Sequence, residues 1–448
     1  MHFARKYDTI ESERRLIAVD WENIPKIDAH IHLMPEKLCY FADVDIRNSL
    51  DETLKTLDEA LDYNANDPLL YRELGWIYQH KIGNMLDDAQ RYYKYMICKE
   101  MMKVYNGDSP DWKALAAAPK TISEFRKLHA DDSKLFESVK AAGFENLEAL
   151  SAAFRKEGVL PEKLAESLAP ETKNGLDTFL RALWLREYYK LRPEIVLEIN
   201  QKYGELDWRL SDSFAIYWAT LGIMYSPKRE SIDCDRMITQ SLKESFIAGR
   251  ILLPGKEPSM NYMLIPNLGI VDAVREGYLD AYKRNETLTF KSALDNFMKN
   301  AAVTLYSYGK YAKAREYFRL IRKERRNDPR YQDFDTFILR EWTEDIKDGS
   351  YKQVHELISG LIFQSCLLLG YDDEEGASAH LKLAEIAYNR FQKEFDDEKG
   401  RVRLPPFDMM KTEIARSVVQ NFPAIGERVK AYISAAQAEK SEKAEARK

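Results

Sequence analysis

The chain has 448 residues, 45% hydrophobic and 31% charged, enough apolar matter for a sizeable core, which excludes global disorder. With only 19 Gly and 16 Pro it is not a loop-rich all-β or linker-like chain, and a net charge of −6 offers no bulk attraction to nucleic acid or anionic lipid. A chain this long suits two or three domains or one long repeat array.

The opening stretch MHFARKYDTIESERR is charged throughout and has no apolar run, so it does not read as a signal peptide. Next comes Asp28-Ala29-His30-Ile31-His32-Leu33, with the His-x-His that opens metal-dependent amidohydrolases. That chemistry needs both imidazoles at the end of a first barrel strand, facing one metal, with a bridging Lys, two more His and an Asp at later strand ends. The later His80, His129, His355 and His380 all sit in helical patterns, and no βα alternation follows, so no barrel is expected. On a helix, positions two apart point in different directions, so His30 and His32 read as polar or half-buried residues of an opening helix. The four cysteines, Cys39, Cys98, Cys234 and Cys366, are far apart and lie among apolar neighbours. They read as small buried side chains, not as a metal knuckle or disulfide framework.

From residue 54 onward, apolar residues recur at spacings of three and four: Leu54, Leu57, Ala60 and Leu61, then Leu70, Leu74, Ile77 and Tyr78. Phe179, Leu183 and Arg186 follow the same spacing, as do Phe214, Tyr217, Trp218 and Leu221. No stretch shows the sustained alternation of several strands. Asn66-Asp67-Pro68 and Asn327-Asp328-Pro329 read as helix starts, because Asp accepts from free backbone N–H groups and Pro at the first position loses no hydrogen bond. Asp62 to Glu73 places acidic and amide oxygens as in a calcium loop, but Asp67 stands where the sharp turn wants Gly, and the turn explains these residues without an ion.

Residues 68–101 carry Tyr71, Leu74-Gly75, Tyr78, Ala89 and Tyr93 in the tetratricopeptide (TPR) order, with Gly75 and Ala89 expected where two antiparallel helices approach closely. A second copy ends at Asp328, with Ala302, Leu305, Gly309, Tyr311, Ala314, Phe318 and Ile321 in order. A weaker pair runs from Asp207 into Cys234–Gly249. Residues 111–175, rich in Ala, Lys and Glu, read as several short helices of an inserted module. Residues 250–270 hold three prolines and read as an ordered loop; overlapping them, Gly249 to Glu257 fails as a phosphate loop, with Glu257 where Ser or Thr must meet magnesium. His355-Glu356 begins a zinc-protease motif, but Ser359 replaces its second His. The apolar run Gly360 to Gly370 is too short for a bilayer, which needs about 20 residues. The basic run Arg322 to Arg326, with Arg315 and Arg319, reads as a solvated helix end, and residues 435–448 as a charged helical tail.

The segments LLYRELGWIYQHKIGNMLDDAQRYYK, DWKALAAAP, YGELDWRLSDSFAIYWATLG and NLGIVDAVREGYLDAY together resemble a family of uncharacterised bacterial TPR-like proteins, in the same order over roughly residues 20–290. Many members carry an N-terminal membrane anchor, and none is read in this sequence. Where the family usually has a His in the DWR block, this sequence has Phe214. The resemblance implies the fold and no activity.

The expected architecture is all-α, a TPR-like α–α superhelix: repeats over 1–110, an inserted module over 111–175, repeats over 176–434 and a tail over 435–448. The expected function is non-catalytic: a protein-binding or scaffold protein that takes a peptide or protein on its concave face. Its inner positions would be Arg72, Trp76 and Gln79 with His80 beside them, and Lys299, Val303 and Tyr306 in the second copy. Arg with Trp suits a peptide carboxylate and an apolar side chain, although packing on the next helix is the commoner explanation of Trp76 and Tyr306. The alternatives are a helical enzyme, which a cleft with buried carboxylates and His would favour, and a small-molecule or lipid binder, which an enclosed cavity would favour. No cofactor, metal, nucleic acid or membrane span is expected, and the chain reads as cytoplasmic or as the soluble part of an anchored protein.

Overall fold

The computed structural model describes residues 59–61, 63–64, 67–83, 88–225, 232–253, 262–343, 351–395 and 404–431. The readings on His30, His32, Cys39, Leu54 and Leu57 lie outside these residues. So do Asp62 and Asn66 of the calcium-loop candidate, Gly255 to Glu257 of the phosphate loop, the tail, and the side chains of Ala89 and Glu356.

The described chain is all-α apart from one short ribbon. In order come α1 (Pro68–Trp76), a π-helical turn (Ile77–Ile82), α2 (Asp88–Tyr105), α3 (Trp112–Ala117), α4 (Ile122–Leu128), α5 (Ser133–Ala141), α6 (Leu147–Glu157) and α7 (Glu162–Ser167). Then follow α8 (Pro170–Glu187), α9 (Pro193–Tyr203), α10 (Ser211–Tyr225), α11 (Ile232–Ala248), β1 (Arg250–Leu252), β2 (Met263–Ile265) and α12 (Val271–Asn285). The remainder is α13 (Leu288–Ser307), α14 (Tyr311–Glu324), α15 (Phe334–Thr343), α16 (Tyr351–Gly370), α17 (Glu374–Phe395) and α18 (Phe407–Asn421). Both Asp-Pro starts behave as the sequence implies. The Asp67 carboxylate accepts from the Leu69 N–H at 2.9 Å and the Asp328 carboxylate from the Arg330 N–H at 3.0 Å. The second of these opens a 3-10 turn (Pro329–Tyr331) ahead of α15.

From α10 to α14 each helix packs on the next, and α13 also meets α15. The pair α10/α11 covers the segments read from Asp207 and Cys234, and α13/α14 covers the segment read as the second copy. In that copy Ala302, Leu305, Ala314, Phe318 and Ile321 are all buried. Gly309 sits at φ +75° in the turn between the two helices, a left-handed conformation that costs any residue with a Cβ.

Helix α1 differs from its sequence reading. Its main partners are α10 and α11, while α2 packs on the π-turn and on α8. A methyl group at Gly75 would overlap Met237 Sδ and stand 3.2 Å from the Ala215 carbonyl oxygen; one at Gly222 would lie 2.7 Å from Cys234 Sγ and 3.2 Å from Tyr71 Cβ. Gly75 therefore faces Ala215, and Tyr71 faces Gly222, so α1 and α10 run antiparallel. The close approach expected of Gly75 exists, and helices distant in sequence make it. Because α10 is covered by both α1 and α11, it is apolar on all sides, with Phe214, Ala215, Ile216, Tyr217, Ala219 and Leu221 buried.

Residues 111–175 form short helices, several opened by a capping side chain: Asp111, Thr121, Asp132 and Asn146 accept from backbone N–H groups of α3 to α6. Their apolar faces close on neighbouring elements. Phe125 stacks on Phe179 at 4.1 Å between centroids, Phe154 meets Trp184 edge-on and Trp112 meets Trp208 edge-on. One hydrophobic core runs unbroken from Tyr71 to Ile338, through the boundaries at 110 and 175. A second core holds α16, α17 and α18 together around Ile358, Ile362, Ala384 and Phe391. Helix α13 contacts α17, with Tyr308 edge-on to His380, and a separate small cluster joins Ile265 to Leu368 and Ala377.

The stretch read as a loop after α11 contains the ribbon, with Ile251 opposite Leu264 in antiparallel register. A buried polar knot ties it to the helices. The Asp207 carboxylate accepts from the Ile251 N–H at 3.1 Å and from Arg209 Nε at 2.9 Å, and Arg209 also reaches the Ile251 carbonyl at 3.2 Å. Tyr105 OH donates to the Trp208 carbonyl at 3.0 Å, and Trp208 Nε1 donates to Asn200 at 2.9 Å. The DWR block is thus a structural joint, and Phe214 beside it is buried in a stack on Tyr78 at 4.8 Å.

Among the described residues no helix is long and apolar enough to cross a membrane. The described cysteines are free thiols, and burial pushes Cys98 and Cys234 up to about 12 and Cys366 up to about 11. At pH 8 a thiol at 12 is thiolate in about one part in ten thousand. In a Cys39→Ser chain, Ellman's reagent should therefore release almost no colour from the native protein, and three equivalents in guanidinium. Rapid native labelling of any of the three would contradict this burial.

Candidate polar cavity

Helix α1 does not stop at Trp76; it widens into the π-turn, where the Gly83 N–H reaches back five residues to the Tyr78 carbonyl at 2.9 Å. The extra residue per turn rotates Gln79 away from the face that α-helical counting gives it, while His80 stays beside Trp76. That count places Gln79 on an exposed face, but Gln79 is 8% exposed, and its amide donates to Ser241 Oγ at 2.9 Å and to the Met237 carbonyl at 3.4 Å. Lys94, on α2, is 5% exposed and its ammonium donates to the Gly83 carbonyl, so the turn is fastened from below.

The turn, α2, the first residues of α10, the last two turns of α11 and β2 border a partly open cavity of about 440 Å³. Gln79, His80, Gly83 and Lys94 line one side; Ser211 and Asp212 the next; Gln240, Lys243, Glu244 and Ala248 the third; Leu210 and Leu264 close it with apolar surface. That volume is within the range of small-molecule sites, roughly 300–1,000 Å³.

The lining holds charges of both signs in poorly hydrated surroundings. The Asp212 carboxyl is pushed up to about 7, mainly by burial and further by Glu244, against the pull of the Ser241 hydroxyl and Lys94. Lys94 is pulled down to about 8 by burial, against Asp212 and Glu244. Burial also lowers His80. At the rim Lys243 pairs with Glu244 at 3.1 Å. Ser211 is 1% exposed, and among the described residues its Oγ has no hydrogen-bond partner. Chemically the cavity can bind groups of either charge and exchange a proton near neutral pH.

Of the residues named from the sequence, Gln79 and His80 line the cavity; Arg72 and Trp76 do not. Arg72 is half-buried and pairs with Glu73; Trp76 is half-buried, tilted against His80 at 5.2 Å, with the Lys81 ammonium 5.8 Å from its ring. Lys299 and Tyr306 lie on α13, whose partners are α12, α14, α15 and α17, not those of α1. Tyr306 meets Tyr311 and Phe334 edge-on at 5.1 and 5.7 Å, so most of its ring is used in packing. Sequence reasoning missed Asp212, Ser211 and Lys94. The one signal was Lys94 inside the aromatic run Tyr92-Tyr93-Lys94-Tyr95, an odd place for a solvated cation. Among the described residues no three His, Cys, Asp or Glu side chains converge as a metal site would require. Compared with protein-family models, with curated proteins and with solved structures, the chain matches none.

Proposed function

We propose that this chain is a non-catalytic binding or scaffold protein of the TPR-like kind, an α–α superhelix that takes a peptide or protein partner. The observation that carries the reading is the side-by-side packing of successive helices from α10 to α14, with small residues at the closest approaches. The partner face is the one bearing Arg72, Trp76 and His80, with Lys299 and Tyr306 as a second contact region. Trp76 keeps part of its ring in solvent beside the Lys81 ammonium and the His80 imidazole, a combination suited to a carboxylate next to an apolar side chain.

Affinity capture from the native cell, comparing wild type with Arg72→Glu/Trp76→Ala, tests this. A partner should be lost from the double variant while its circular dichroism stays unchanged. Because Arg72→Glu sets a second carboxylate beside Glu73, Trp76→Ala alone serves as the second variant. The same proteins captured by all three chains would overturn the assignment of the face. A second reading, a helical protein acting on or binding a small polar molecule, is favoured by the cavity around Asp212, Glu244 and His80.

A further inference from the structure

We propose that the cavity between the π-turn, α10 and α11 is a binding site for a small zwitterion, a free amino acid or a molecule with the same pair of charged groups. Three observations converge on it. The cavity, bordered by five elements and partly open to solvent, draws polar side chains from four of them, Gln79 and His80, Lys94, Ser211 and Asp212, and Glu244, which an apolar packing defect would not. Its charges come as opposed pairs, Lys94 and Lys243 against Asp212 and Glu244, so a ligand with a single charge meets repulsion as well as attraction, while a zwitterion satisfies both. Ser211, almost wholly buried, has a hydroxyl with no partner among the described residues, and a buried group of this kind is costly until something bonds it.

The geometry gives each pole a place. Ser211, at the first position of α10, donates to a carboxylate where the helix dipole and the Lys94 ammonium already favour negative charge. Asp212 and Glu244 accept from the ammonium, Asp212 held in place by Ser241, which Gln79 fixes in turn. Leu210, Leu264 and Ala248 leave an apolar wall for the side chain of the ligand. The shift of Asp212 toward neutral agrees with a carboxylate whose burial the Lys94 charge does not offset. The inference goes beyond the partner-binding reading and does not depend on it: a failed partner capture leaves it intact, and the test below involves no protein partner.

The test uses the full chain and the twenty common L-amino acids, each at 10 mM in a thermal-unfolding screen, followed by calorimetric titration of those that raise Tm. At least one should bind at pH 7.5. Its N-acetyl derivative, which lacks the ammonium, and its amide, which lacks the carboxylate, should each bind at least tenfold more weakly. Asp212→Asn and Ser211→Ala should each weaken the free amino acid at least fivefold, with unchanged circular dichroism. The proposal is overturned if none of the twenty binds, or if binding survives in both variants. It is overturned equally if either blocked derivative binds as well as the free amino acid, which would make the ligand a peptide end or a simple ion.

Discussion

Arg209→Met is expected to destabilise the protein by about 3–5 kcal/mol, the usual cost of stranding one partner of a buried ion pair. Arg209 is 8% exposed, and its guanidinium holds three chain segments at once. It reaches Asp207 through Nε and Nη2 at 2.9 and 2.8 Å, the Ile251 carbonyl in β1, and Asp108 after α2. Without it, the Asp207 carboxylate stays buried against only the backbone N–H groups of residue 209 and Ile251. Urea unfolding followed by far-UV circular dichroism reads the loss directly. The double variant Asp207→Asn/Arg209→Met should recover part of it, because no uncompensated charge remains. A loss below about 1 kcal/mol would mean that the knot is solvated and weak.

Asp212→Asn is expected to do the reverse and stabilise the chain, by an amount that grows with pH. The folded carboxyl titrates near 7 against 3.8 for an ordinary Asp. Between those values the folded protein keeps a proton that the unfolded chain has released, so wild-type stability falls as pH rises from about 4 to about 7. Above 7 the full cost of the buried charge is in force, about 2–4 kcal/mol for a shift of this size with the cavity partly open to water. Lys94, Lys243, Glu244 and His80 face the same cavity; of these, Glu244 raises and Lys94 lowers the Asp212 carboxyl, so the repulsion and the attraction lost with its charge oppose one another. Urea midpoints should therefore lie closest near pH 3.5, below the unfolded-state value, and separate at pH 8, the variant being the more stable. Equal midpoints at both values would show that Asp212 is well hydrated.

Local features were legible in the sequence because local physics sets them. The Asp-Pro caps, the helical periodicity, the short helices of 111–175 and the pairing of 211–225 with 232–248 each follow from residues within a turn or two of one another. What stayed hidden depends on contacts across the chain. The pairing of α1 with α10 leaves no periodic trace, because Gly75 fits against any helix that presents a small residue such as Ala215. The π-turn cannot be read from Ile77 to Ile82, whose spacing serves an α-helix as well. The cavity was invisible for the same reason: Ser211 and Asp212 look like a helix start and Glu244 like a solvated face. Only their meeting with Lys94 and Gln79 gives them a shared environment. Gln79 and His80 stand out in the sequence for another reason, an α-helical count along a stretch that is not α-helical.

The antiparallel seating of α1 on α10 has a consequence for synthesis. Gly75 and Ala215 are about 140 residues apart in sequence. At roughly 5–20 residues per second, α1 leaves the ribosome some 7–28 s before its partner exists. During that interval Tyr71 and Leu74 have no surface to cover them, so the nascent chain must either be held by a chaperone or rest in a provisional arrangement that α10 later displaces.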